Sequence, residues 1–221
     1  MCVSLTADLF DGIADARPSR EVIAEGAVLL RGLAGPIGRE LVAAVGDIAA
    51  QAPFRQMFTP GGYQMSVAMT NCGKRGWVTD RSGYRYDTVD PQSGEPWPAM
   101  PLLLREFAVE AADEAGFPGF LPDACLINRY EPGARMSLHQ DKDERDLAAP
   151  IVSVSLGLPA IFLFGGMKRS DKPRRFRLQH GDVVVWGGPT RLAYHGVAPL
   201  GDGEHVLLGR QRINLTFRKA F

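Results

Sequence analysis

Residues 137–144 read Ser-Leu-His-Gln-Asp-Lys-Asp-Glu. A run this charged is most often a solvated turn. It also places a His and an Asp two residues apart, and in an extended chain residues i and i+2 face the same side. His139 and Asp141 can therefore aim at one point. Two His and one carboxylate on one face, with the remaining positions open, make the ligand set of a non-haem iron oxygenase. His-x-Asp by itself does not separate the two readings, so a third ligand must come from elsewhere.

Three other histidines are available: His180, His195 and His205. His180 lies in Gln-His-Gly-Asp, a turn signal before the apolar run 182–186, and reads as a turn residue. His205 lies in the polar, Gly-rich 201–206 and reads as solvent-facing. His195 follows a loop that leaves the Val-Val-Val-Trp strand, where an inward-facing imidazole near a barrel mouth could sit. It is the candidate that completes the set. Zinc is compatible with these ligand types, but no thiolate joins them.

The chain ends near Arg212-Ile213-Asn214-Leu215-Thr216-Phe217-Arg218, which alternates polar and apolar residues strictly. That is a strand by its period of two. Its polar face could be the solvated side of an edge strand. It could equally line a cavity, and an Arg there would need an anion. The guanidinium fork suits a carboxylate held by two hydrogen bonds. A dicarboxylate beside iron points to 2-oxoglutarate.

Elements must position these groups. Residues 36–50 carry Leu41, Val42, Val45, Ile48 and Ala49 at helical spacing, and 99–115 read as a second amphipathic helix stopped by Gly116. Between them, 52–98 is rich in Gly, Pro and aromatics and suits short strands with turns. From about residue 121, short β-branched and aromatic runs alternate with Gly, Pro and Asp. The expected class is α+β with a mainly β core: a double-sheet jelly roll supported by helices.

Composition narrows the setting. The 221 residues carry 25 basic and 25 acidic side chains, so no global field attracts nucleic acid or a membrane and any anionic partner needs a local patch. Three scattered cysteines, Cys2, Cys72 and Cys125, without Cys-x-x-Cys, fit a reducing cytosol. The first twenty residues lack the basic start and apolar stretch of a signal peptide. No apolar run reaches membrane-spanning length. The expectation is a cytoplasmic protein without a membrane partner, and nothing demands more than a monomer.

The chain resembles the AlkB family of iron- and 2-oxoglutarate-dependent nucleic-acid dealkylases. The resemblance is carried by His139-x-Asp141, the distal His195 and Arg-x-Asn-x-Thr-x-Arg at 212–218. It extends through PGGYQMSVAMTNCG, WPAMP, DACLINRY, SLHQDKDE, PIVSVSLGLPA and HGDVVVWGG, from about residue 20 onward. It implies a double-stranded β-helix with an N-terminal helical extension at 1–51, a nucleotide-recognition lid at 52–98, and a supporting helix with the catalytic core at 99–221. By the resemblance, His139, Asp141 and His195 would hold Fe(II). Arg212 would reach the metal-bound end of 2-oxoglutarate and Arg218 its distal carboxylate. Asn128, Tyr130 and Asn214 would complete the hydrogen bonds, and O2 would be the oxidant.

The family demethylates N-methylated bases such as 1-methyladenine and 3-methylcytosine, releasing formaldehyde and succinate. The implied partner is methylated DNA, single- or double-stranded, with RNA left open. A hydroxylase of a small molecule or protein on the same scaffold is the alternative. An extruded base needs aromatic faces. The resemblance assigns Trp77 to stack the base against His139, with Met69 and Tyr84 nearby. Methylated adenine and cytosine rings are cationic, and Asp143 is placed to meet that charge if the strand continues past Asp141. Lys142 and Glu144 read as solvated charges. Lys168, Arg169, Lys172, Arg174, Arg175 and Arg177 form the local basic patch, with Arg169 the position that the family uses on substrate.

Overall fold

A computed structural model describes residues 19–221. Two sheets face one another. The larger contains β1 (Ser19–Ala24), β2 (Ala27–Arg31), β3 (Arg55–Phe58), β4 (Gln64–Gly73), β7 (Ala124–Tyr130), β9 (Ile151–Gly157), β12 (Val183–Trp186) and β14 (Arg212–Arg218). Its order is β1-β2-β12-β9-β14-β7-β4-β3. The smaller joins β8 (Met136–His139), β10 (Ala160–Phe164), β11 (Arg174–Leu178) and β13 (His195–Val197) in the order β11-β10-β13-β8. This is the expected jelly roll. A two-stranded hairpin, β5 (Gly76–Asp80) and β6 (Gly83–Asp87), pairs with neither sheet but packs on the large one, where Asn71 of β4 holds the Trp77 backbone.

Helices α1 (Gly38–Gln51) and α2 (Leu102–Ala115) cover the outer face of the large sheet. Leu41, Val45 and Ile48 of α1 and Leu104, Phe107, Ala108 and Ala111 of α2 meet Ile213, Leu215 and Phe217 of β14 in one core. Gly116 ends α2 at φ +96°, a backbone state that costs a side-chain-bearing residue free energy and glycine little. Among the described residues no helix is long and apolar enough to cross a membrane.

Three points of the sequence reading gain detail. The segment 1–51 carries the helix α1 at its end, and ahead of it β1 and β2 form a hairpin that adds two strands to the large sheet through β2 and β12. Its first eighteen residues, with the leader-peptide reading and Cys2, lie outside the described residues. The segment 52–98 is not a separate lid throughout, because Ala68–Gly73 of β4 pairs with β7 inside the large sheet. Only β5–β6 and its flanks stand over the core. The closing strand β14 is no edge. It lies between β7 and β9 with all seven residues buried.

Candidate metal centre

The centre lies between the sheets. His139 ends β8 and His195 starts β13, and the register sets them directly opposite one another. Gly196 permits this approach, since a Cβ there would meet the Met136 carbonyl oxygen at 2.6 Å. The strand β8 stops at His139, so Asp141 is delivered by the following coil and not by strand alternation. His139 Nε2 lies 3.6 Å from Asp141 Oδ1, and His195 Nε2 lies 3.7 Å from Oδ2. Ligand atoms from these three residues all fall within 4.8 Å of one another.

The histidine tautomers suit metal binding. His139 Nδ1 faces the Ser137 carbonyl at 2.9 Å and His195 Nδ1 faces the Ala193 carbonyl at 3.0 Å. Each Nδ1–H is thereby committed to a backbone acceptor, leaving an Nε2 lone pair for a metal. Burial pushes the His195 imidazole down to about 4, and His139 adds to the fall, so it is neutral at pH 7. Burial alone would raise the Asp141 carboxyl, but Arg218, His195 and His139 overcome it and hold it well below the usual carboxylate range.

Behind the triad, Arg212, Asn214, Thr216 and Arg218 share the inner face of β14. Arg218 donates to Asp141 Oδ2 from Nη2 at 2.7 Å and from Nε at 2.9 Å. Arg212 is 1% exposed, and its Nη2 donates to Ser155 Oγ at 2.9 Å. Its Nε and Nη1 have no hydrogen-bond partner among the described residues. The guanidinium carbon sits 5.0 Å from the Tyr130 ring. Asn128, Asn214 and Thr216 form a chain alongside: Asn128 Nδ2 and Thr216 Oγ1 both donate to Asn214 Oδ1.

This geometry reverses the expected order of the two arginines. Arg218 is the one beside the metal ligands, and Arg212 lies further along the strand with donors to spare. Leaving an ionised buried group half-satisfied costs several kcal/mol. A carboxylate accepting from one of these free donors would remove part of that cost, so the residues present fit a dicarboxylate stretched from the triad to Arg212.

The base-reading residues meet in a different way from the one expected. Trp77 on β5 stacks on Tyr84 of β6, with centroids 5.7 Å apart and planes 20° apart. Its Nε1–H donates to Asp143 Oδ2 at 2.8 Å. The strand does not continue to Asp143, yet the coil still presents this carboxylate beside Trp77. Met69 is fully buried in the core beneath Trp77 and Tyr130, so it supports the slot from below and offers no exposed surface to a base. Arg169 is exposed in the β10–β11 connection together with Lys168 and Lys172. Arg174 is drawn away, donating to the Ile23 carbonyl and packing on Phe176.

Glu144 was expected to be solvated and is buried, 6% exposed. It accepts from Tyr86 Oη at 2.6 Å and Arg191 Nη2 at 3.2 Å, and Arg218 Nε is 3.4 Å away. Arg191 joins the centre without any sequence signal. It is 3% exposed, and Nη1 donates to the Asp141 carbonyl at 2.7 Å. No motif marks it; only three dimensions show it pinning the coil that carries the metal carboxylate. His180 and His205 take no part in this centre. They stack on each other, centroids 4.6 Å apart, so His205 does not simply face solvent.

Comparison with known proteins gives one consistent answer. The sequence model of the 2OG-Fe(II) oxygenase superfamily matches residues 26–218. The chain is 60% identical to alpha-ketoglutarate-dependent dioxygenase AlkB of Escherichia coli over 212 residues, 96% of this chain and 98% of the relative. It is 33% identical to the tRNA demethylase abh1 of Schizosaccharomyces pombe over 65% of this chain and 52% of that one. Its fold is similar to the solved structure of OsALKBH1, with a TM-score of 0.79 at 27% identity, covering 91% of this chain and all of the other.

Proposed function

The chain belongs to the AlkB family of the 2OG-Fe(II) oxygenase superfamily, and from that premise we propose that it repairs nucleic acids by oxidative removal of methyl groups from base nitrogens. The observation that carries the reading is Arg212: a buried cation with two unsatisfied donors, on the strand whose other arginine clasps the metal carboxylate. His139, Asp141 and His195 would hold Fe(II). Arg212 would take the distal carboxylate of 2-oxoglutarate, with Tyr130, Asn128 and Asn214 alongside, and Arg218 would face its metal-bound end. When bound, iron with 2-oxoglutarate and O2 supplies the oxidation that hydroxylates the methyl carbon; succinate and CO2 leave, and the hydroxymethyl amine collapses to formaldehyde and the restored base.

The chain's own residues select the substrate. An extruded base would enter beneath the β5–β6 hairpin and lie against Trp77, stiffened from behind by Tyr84. Asp143 would offer a negative charge to the cationic ring of 1-methyladenine or 3-methylcytosine. That carboxylate already orients Trp77, so one residue sets both the stacking face and the charge. Lys168, Arg169 and Lys172 would hold phosphates without reading sequence, which suits repair of DNA and RNA alike. One chain supplies every group in the centre, which supports a monomeric enzyme.

The test is turnover of an oligonucleotide carrying 3-methylcytosine. Formaldehyde and succinate should appear together, only when Fe(II) and 2-oxoglutarate are both supplied, and His139→Ala should abolish both. Succinate formed at the same rate without methylated base, with no formaldehyde, would point to a different substrate and refute the proposal.

A further inference from the structure

Glu144 and Tyr86 are not needed to hold metal, co-substrate or base, yet their part-buried bond connects the lid hairpin to the surroundings of the metal carboxylate. Tyr86 on β6 donates its hydroxyl to Glu144 Oε1 at 2.6 Å. The same oxygen is 3.4 Å from Arg218 Nε, too long for a strong bond, while that Nε donates to Asp141 Oδ2 at 2.9 Å. The other carboxylate oxygen, Oε2, takes Arg191 Nη2 at 3.2 Å. Arg191 in turn holds the Asp141 and Ala149 carbonyls. Glu144 thus faces both guanidiniums, Arg218 is shared between the Glu144 and Asp141 carboxylates, and the lid contributes the neutral donor that fixes how Arg218 is shared.

We propose that Glu144 is a positioning residue, through which seating of the β5–β6 hairpin commits Arg218 to Asp141, so that lid closure and co-substrate binding favour each other. The physical reason is competition for one oxygen. With Tyr86 seated, Oε1 is satisfied and Arg218 leans to Asp141. When Tyr86 withdraws, Oε1 is a buried, under-satisfied anion and draws Arg218 Nε the few tenths of an ångström to bonding distance. Arg218 then divides its donors between two acids, and Asp141 loses part of its hold at the edge of the metal centre. The exposed Trp77–Asp143 bond also ties down the lid, but it touches neither arginine. The proposal rests on the reading that Arg218 faces the metal-bound end of 2-oxoglutarate.

Tyr86→Phe tests it, because the ring keeps its edge-on packing against Phe221, centroids 6.4 Å apart, and only the hydroxyl is lost. Two readouts are needed: hydrogen exchange of amides 76–87, and the affinity for 2-oxoglutarate in the presence of Mn(II). In the wild-type chain Mn(II) plus 2-oxoglutarate should slow lid exchange roughly tenfold, and Tyr86→Phe should remove most of that slowing while weakening 2-oxoglutarate by a similar factor, because coupling is reciprocal. Glu144→Gln should also remove the slowing but leave 2-oxoglutarate affinity near wild type, because a neutral amide no longer competes with Asp141 for Arg218. If Tyr86→Phe speeds lid exchange but leaves both the 2-oxoglutarate affinity and the slowing as in wild type, the contact is a tie and nothing more, and the proposal falls. If the wild-type chain binds no 2-oxoglutarate, the co-substrate reading fails instead. The Arg218 Nε–H nuclear magnetic resonance signal of the metal-free chain then decides: displacement by Tyr86→Phe supports the relay, and an unmoved signal overturns it.

Discussion

Replacing Arg212 with Met should stabilise the metal-free protein and destroy its grip on 2-oxoglutarate. Arg212 is buried, with one donor on Ser155 Oγ and two donors unpartnered. An unsatisfied buried donor costs about 1–3 kcal/mol, so removing two relieves about 4 kcal/mol at the middle of that range. Against this stand the lost bond to Ser155, about 1 kcal/mol, and the lost attraction to the Tyr130 ring, about 1 kcal/mol. The balance is about 2 kcal/mol in favour of Met, which in a chain of this size raises Tm by roughly 4–8 °C. Losing one member of a buried charge pair costs about 2–5 kcal/mol of binding, so 2-oxoglutarate should weaken roughly 30-fold to several-thousand-fold. Arg218→Met is the control of opposite sign. It strands the buried Asp141 carboxylate and should cost about 3–5 kcal/mol. Thermal unfolding of the metal-free variants and calorimetry with Mn(II) and 2-oxoglutarate measure both effects. If Arg212→Met lowers Tm as Arg218→Met does, or leaves 2-oxoglutarate affinity unchanged, then Arg212 is an ordinary buried residue and the co-substrate reading loses its main support.

Changing Lys168, Arg169 and Lys172 together to Gln should flatten the salt dependence of DNA binding by about 2–3 in log–log slope, at 0.7–0.9 per phosphate contact; an unaltered slope removes the hairpin from the footprint. Asp143→Asn keeps an acceptor for Trp77 but loses the charge, so turnover of cationic 3-methylcytosine should fall about fivefold relative to a neutral methylated base, the effect of roughly 1 kcal/mol at an exposed site. Equal losses on both bases would contradict the electrostatic role. His180 is held below its usual value by burial and by the facing His205, while its Nδ1 accepts the Gly157 N–H at 3.0 Å. A histidine with a depressed folded pKa contributes stability that is present above its unfolded pKa and is lost as pH falls through the folded one. His180→Gln should therefore shrink the drop in Tm between pH 7.5 and 5.5 in the metal-free chain; an identical drop would show that the pair is not responsible.

Much of the centre was legible because strands repeat every two residues. The alternation of 212–218 puts four polar side chains on one face, and that face is the inner one. The same periodicity could not say whether the strand was an edge, because a second sheet is needed to cover its polar side. Nor could it order Arg212 and Arg218, which share one face. Their order depends on which end of β14 approaches the coil after β8, a fact of topology. Alternation also misplaced Glu144. At i+3 from Asp141 it would face away in a strand, but the strand ends at His139 and the coil turns Glu144 inward. The hairpin 19–31 did carry a signal, with Val22, Ile23 and Val28 flanking Gly26 at φ +70°. Strand-forming β-branched residues around a turn glycine are a hairpin pattern.

The buried charges give the centre a further property. Among the described residues, Arg191, Arg212 and Arg218 are three buried cations facing two buried anions, Asp141 and Glu144, while His195 is neutral at pH 7. A divalent metal alone would add two positive charges to this low-dielectric site, and a dicarboxylate alone would add two negative ones. Bound together they leave the net buried charge where it began. Each therefore lowers the electrostatic cost of the other. The benefit has a direction in space as well as a sign. Asp141 and the two histidines gather the positive charge at one end of β14, and Arg212 waits for the negative charge at the other. On the proposed reading, a monocarboxylate of similar length would neutralise the metal end and leave Arg212 unsatisfied, so β14 would favour a dianion by what it would cost to bind anything less.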